Sequence, residues 1–243
     1  MRRISSRLFI AHLAMAALAS CGAMARADVV LWYNGNFDGR DALANGQGTF
    51  NPDALVYDNF TVTAGQSWTV SAVYSNNMMN FTGITQAHWE IRSGVSAGAA
   101  GTLIASGNGA ATQVSTGRTF LGMTEYTVTV SGLNLSLGAG SYWLSVAPIG
   151  TAGNGNVSYI SSTGGSGAVG LPAGNDGNSY FTSASYGNFF TPTSDDSVEG
   201  AGTWDYSMGV VGVTRAVPEP ASLALMLLGG AGVAGFARFR LRG

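Results

Sequence analysis

Three kinds of residue in this sequence have types and spacings that could do chemistry: a serine set between glycines, a histidine in the body of the chain, and a scatter of acids. Gly94-Val95-Ser96-Ala97-Gly98 spells G-x-S-x-G, the pattern of a nucleophile elbow. That chemistry needs a strand before the serine, a helix behind it and a histidine later in the chain. A Gly- and Ala-rich stretch follows instead, and His88 precedes the serine. The match therefore carries no expectation of catalysis. His88, with no cysteine between Asp28 and Ala216, cannot build a zinc or copper site of the usual type.

The acids offer more. Asn34-Gly35-Asn36-Phe37-Asp38-Gly39-Arg40-Asp41 places oxygen donors at alternate positions before a glycine, loosely like a calcium loop. It lacks the leading Asp, and Asn45 stands where a closing bidentate Glu would be needed. Asp176, Asp195, Asp196 and Glu199 lie in two polar stretches that folding could bring together. Calcium at Asp38, Asp41, Asp195 and Asp196 is one reading; turn-forming side chains on a solvated surface are the other. A glycosidase would need two opposed carboxylates, and none of the acids sits in such a motif. The expectation is a protein that is not an enzyme and has no cofactor other than calcium to consider.

Aromatic rings are the remaining handle, because a planar ring can stack on a sugar face. Trp68 and Trp143 fall in alternating or wholly apolar runs, where core packing is expected. Trp32, Trp89 and Trp204 are the better candidates for an exposed ring.

These residues have to be positioned by strands. Ser67 to Tyr74 alternates, with Trp68, Val70, Ala72 and Tyr74 on one face, and Tyr126 to Val130 alternates with threonines outward. Further runs rich in β-branched and aromatic residues are 29–33, 55–63, 84–91, 102–106, 141–147, 157–161 and 203–213. Turn pairs such as Asn34-Gly35, Asp38-Gly39, Asn45-Gly46 and Asp176-Gly177 separate them. Residues 150–177 and 191–202 read as long surface loops. The expected fold is all-β: a single β-sandwich or jelly-roll-like ectodomain over 28–215.

Charge narrows the partners. Between Asp28 and Ala216 there are four arginines, no lysine and twelve acids, a net charge of −8. Such a body is unsuited to nucleic acid, whose phosphates require a basic surface.

The two ends read as targeting segments. Arg2, Arg3 and Arg7 precede an apolar run, and Ala25-Arg26-Ala27 forms an A-x-A cleavage site, so 1–27 is expected to be a signal peptide cut by signal peptidase. Leu18-Ala19-Ser20-Cys21 offers a competing lipoprotein-type site, with Cys21 acylated. At the other end, Val217-Pro218-Glu219-Pro220 precedes the uncharged run 221–237 and the basic tip Arg238, Arg240 and Arg242. Seventeen helical residues reach roughly 26 Å, just enough to cross a hydrocarbon core as one transmembrane helix. The arginines would stay on the cytoplasmic side.

Residues 216–243 together resemble the PEP-CTERM sorting signal of Gram-negative bacteria. That resemblance implies an exosortase as partner, a membrane-embedded protease that recognises and processes the tail. It also implies an exported protein, anchored in the inner membrane as a precursor and then released to the cell surface or extracellular matrix. The family accompanies exopolysaccharide production, which points to a biofilm-associated structural protein with exopolysaccharide among its candidate partners. The alternative is a carbohydrate- or calcium-dependent binding module. Tyr57-Asp58-Asn59-Phe60 and Gly140-Ser141-Tyr142-Trp143-Leu144-Ser145 resemble phrases in the outer domains of other such proteins.

Overall fold

The computed structural model describes residues 27–48, 53–150, 155–174 and 176–217. Ala25, Cys21, the three residues Pro218, Glu219 and Pro220, the apolar run and the arginine tip lie outside the described residues. Among the described residues no helix is long and apolar enough to cross a membrane.

Fourteen strands follow one another: β1 (Val29–Tyr33), β2 (Phe37–Ala44), β3 (Gln47–Gly48), β4 (Leu55–Val62), β5 (Gln66–Met79), β6 (Gln86–Ser93), β7 (Thr102–Phe120), β8 (Met123–Leu137), β9 (Gly140–Gly150), β10 (Ser158–Thr163), β11 (Tyr180–Ser183), β12 (Asn188–Pro192), β13 (Asp205–Tyr206) and β14 (Met208–Ala216). The all-β expectation holds. Hydrogen bonding joins the strands into one sheet, in the order β1-β14-β5-β8-β7-β6-β9-β4-β11-β12, with β10 pairing β2, β5 and β13 to one side.

That sheet doubles over a shared core because of β7. Its first half, to Ala110, pairs with β6, and from Ala111 onward it pairs with β8. Two glycines permit the crossing. A Cβ on Gly109 would stand 2.4 Å from Val130 Cγ1, and one on Gly107 would touch the Trp89 indole. β7 and β8 then close through Leu121 and Gly122, both at positive φ, as a two-residue hairpin requires.

The core shows the doubling directly. β4 and β5 are consecutive yet do not pair; instead Phe60 of β4 stacks on Trp68 of β5 at 5.7 Å. Phe60 also meets Trp32 of β1 at 5.4 Å and Tyr142 of β9 at 5.5 Å. Trp68 and Val70 are buried in the core as alternation predicts, but a register shift at Ser71 breaks the pattern, and Val73 rather than Ala72 or Tyr74 joins them there. Trp143 is buried as well, and so, against expectation, are Trp32 and Trp89.

Several stretches differ from the sequence reading, among them β11, β12 and the second half of β7, which no expected strand covers. The polar run expected to be a calcium-like loop enters β2, whose residues from Ala42 to Ala44 pair with β10. The stretch 191–202 begins as the end of β12 and continues in turns.

Candidate functional site

Carboxylates gather at one end of the core, and they are not the ones the sequence singled out. Asp58 comes from the middle of β4, Asp205 from β13 and Asp176 from the loop before β11. One oxygen from each lies within 4.8 Å of the others. Asp58 and Asp205 are buried and Asp176 is exposed.

Backbone amides hold all three in place. Asp58 Oδ2 accepts from the Tyr206 amide at 2.6 Å and from Asn34 Nδ2 at 2.8 Å, and its Oδ1 accepts from the Asn59 amide at 2.8 Å. Asp205 accepts from the amides of Asp176 and Gly177 at 2.6 and 2.9 Å. Asp176 Oδ1 accepts from the Asn178 amide at 3.0 Å, and its Oδ2 from Asn59 Nδ2 at 3.0 Å. Each amide donor fixes one lone pair and leaves others free, since a carboxylate has about four.

The electrostatics are unfavourable for three bare charges. Burial, and then the neighbouring Asp205, push the Asp58 carboxyl well above the usual carboxylate range. Burial lifts Asp205 to about 7, with the Asp176 charge adding to it. The described ion pairs go elsewhere: Arg40 to Asp38, Arg92 and His88 to Glu90, Arg118 to Glu125. The cluster can therefore hold a proton or a cation. It does not match the opposed pair of a glycosidase, whose carboxyls stand about 5 Å or more apart around a sugar. Asp58 and Asp205 are fully buried.

The acids chosen from sequence are engaged separately. Asp38 accepts from the Ser162 hydroxyl at 2.7 Å and from Arg40, and these donors hold its carboxyl below the usual range despite its burial. Asp41 accepts from the Ala42 amide at 2.7 Å and faces Glu199. Burial, then the Asp41 charge, raise Glu199 to about 7. Asp195 accepts from the Ser197 hydroxyl and amide within its own turn, and Asp196 is exposed beside it. Of the acids in the two loops, Asp176 alone joins the cluster. Neither Asp58 nor Asp205 stands at a spacing in the sequence that marks a metal ligand.

A second polar group sits on β6. Glu90 Oε2 accepts from the Tyr57 hydroxyl at 2.8 Å and from Arg92, while its Oε1 meets His88 Nε2 at 3.1 Å. The other His88 nitrogen is 2.7 Å from Asn108 Oδ1, so the imidazole is committed on both sides. Ser96 enters a tight turn closed against Ala99, not a helix. Trp204 is half-buried, with the Arg40 guanidinium 4.7 Å over its ring.

The fold leads straight into the tail. β14 pairs with β5 to its last residue, Ala216 opposite Gln66, and the Val217 amide then donates to the Gly65 carbonyl at 2.8 Å. Residues 216–242 match the family model of the PEP-CTERM protein-sorting motif. No curated protein matches the chain, and no solved structure does.

Proposed function

We propose that this chain is an exported cell-surface or extracellular-matrix protein, handed to an exosortase through its tail, with a sandwich-like body that has a structural rather than a catalytic role. The observation that carries the reading is the sorting-motif match over 216–242. Its setting adds weight, because the last strand of the body ends where the match begins. A chain that must be cut or transferred at Val217-Pro218-Glu219-Pro220 needs an accessible, extended segment there. The sequence favours one, because prolines lack backbone N–H groups and disfavour helix at the residues before them. Gly229, Gly230, Gly232 and Gly235 in the run behind them each lower helix propensity by about 1 kcal/mol relative to Ala. A helix so weakened could unwind into a membrane-embedded active site.

The experiment is mass spectrometry of the protein extracted from the surface of a host that has an exosortase. The expected C-terminus lies near Pro220, and the uncut chain should accumulate in membranes of the same host without the enzyme. Peptides spanning Ala216 through Phe236 in the mature material would overturn the reading. An association with exopolysaccharide is part of the proposal, tested by whether the protein co-purifies with the extracted polymer. A second reading, a calcium-dependent binding module, is favoured by the Asp58, Asp176 and Asp205 cluster.

A further inference from the structure

We propose that Asp58, Asp176 and Asp205, together with the side-chain oxygens of Asn34 and Asn59, form a calcium site that ties the loop 164–179 to the sheet. The carboxylates alone would not carry this. The independent observation is the pair of asparagines. Both are buried, Asn34 completely and Asn59 to 7% exposure. Each donates its amide N–H to a carboxylate of the cluster: Asn34 to Asp58, Asn59 to Asp176. Each leaves its Oδ1 buried without any hydrogen-bond partner.

An amide oxygen stands only ~2.3 Å from its own nitrogen, by the C=O and C–N bond lengths. Each orphaned oxygen therefore lies no more than about 5 Å from the carboxylate oxygen that its own N–H meets. Turning either amide over would exchange an N–H···O bond for an oxygen facing a carboxylate, so the hydrogen bonds fix these orientations. Buried acceptors are rarely left unsatisfied. A cation held by the carboxylates would satisfy both oxygens at once.

The donor set selects the ion. Five oxygens and no nitrogen or sulfur exclude the usual zinc and copper sites. Carboxylate oxygens within 4.8 Å of one another can share one ion at a calcium–oxygen distance of about 2.4 Å. Calcium accepts irregular shells of six to eight oxygens, so water can complete this one, whereas magnesium demands a compact octahedron. Five backbone amides already orient the carboxylates, as outer partners do around a metal.

The ligands come from four separate stretches: the turn after β1, β4, the loop 164–179 and β13. That loop is fastened to the sheet at Val169, which exchanges hydrogen bonds with Tyr33, and at Leu171, whose carbonyl accepts from Thr61. Calcium at Asp176 would fasten its far end. Millimolar calcium outside the cell makes a modest affinity sufficient, and only that availability rests on the export reading.

The test uses the full chain purified in mild detergent and stripped with chelator. Calorimetric titration should find one calcium per chain. At about 100 times the dissociation constant, calcium should raise the melting temperature by roughly 5–10 °C. Asp176→Asn and Asp205→Asn should each weaken binding at least tenfold, while the paired change Asp195→Asn and Asp196→Asn leaves it intact. Asp176 is exposed, so its variant serves if Asp205→Asn fails to fold. Identical melts in chelator and in 10 mM calcium would overturn the proposal, as would a calcium shift that survives Asp176→Asn. Sorting is not measured here, so failure of this site and failure of the export reading remain distinguishable.

Discussion

The Val217 amide donates to the Gly65 carbonyl one residue beyond the last rung of β14 against β5. The body thus holds the chain by backbone pairing up to the first residue of the sorting motif. β14 lies between β1 and β5, so both of its edges are hydrogen-bonded where those partners reach.

A chain stopped after Val217 should therefore melt at the temperature of the full chain. A chain stopped after Val211 loses the pairing of Gly212 through Ala216 with β5. It should express as insoluble or protease-sensitive material. Limited proteolysis of the two products side by side checks this, and equal resistance would count against it.

A glycine inside the same strand gives a sharper test. A Cβ on Gly212 would stand 2.1 Å from the Thr69 carbonyl oxygen and 3.0 Å from Val70 Cα, both backbone atoms of β5. Neither can move without shifting the strand. Gly212→Ala should cost about 1–3 kcal/mol, the usual toll of overpacking, and lower the melting temperature by several degrees. Gly138→Ala, with nothing within 4 Å, should leave it unchanged.

Elements whose signal is local were legible in the sequence. Trp68 and Val70 alternate and are buried in the core, until the register shift at Ser71 that no local signal marks, and each of the runs read as strands contains or overlaps one. β2 was missed because Asp38-Gly39-Arg40-Asp41 looks like a turn; the strand exists because Ala42, Leu43 and Ala44 pair with β10. The second half of β7, rich in Gly, Ser and Thr, carries little β signal of its own, and pairing with β8 imposes its conformation. The carboxylate cluster was illegible for another reason. Asp58, Asp176 and Asp205 sit in unrelated local contexts, and only the pairing of distant strands brings them together. The buried Trp32 and Trp89 make the same point: exposure of a ring depends on what crosses over it.

Acid should act through Glu90. Burial alone would raise its carboxyl, but hydrogen bonds from His88, Arg92 and Tyr57 outweigh that and hold it at about 2. The folded value lies below the unfolded one of about 4.3, so the folded state binds the proton less readily. This contribution to stability is complete above about pH 5 and is lost as pH falls toward 2. Glu90→Gln keeps an oxygen for Tyr57 and removes the charge. Its melting temperature should lie below wild type at pH 6, and the difference should close between pH 5 and 2. Parallel curves for the two proteins across that window would rule out this role.

The last prediction concerns the other buried ion pair. The Glu125 side chain is fully buried, and its Oε2 takes the Arg118 Nε and the Thr116 hydroxyl, the latter at 2.6 Å. Its Oε1 is buried with no partner. Arg118 is 35% exposed, so it gives up less hydration than Glu125 does. Removing one partner of a buried pair strands the other charge, whereas replacing both with apolar groups of similar volume is often neutral or better. Arg118→Met should therefore cost about 3 kcal/mol, the lower end for a buried pair because the arginine is partly solvated. Arg118→Met combined with Glu125→Leu should recover most of that loss. Thr116 keeps a partner in the double variant, since its hydroxyl also reaches the Glu125 carbonyl at 3.3 Å. Urea unfolding of the wild type, the two single variants and the double variant gives the coupling directly. Additive costs would show that the pair contributes through packing alone, and would refute the electrostatic account.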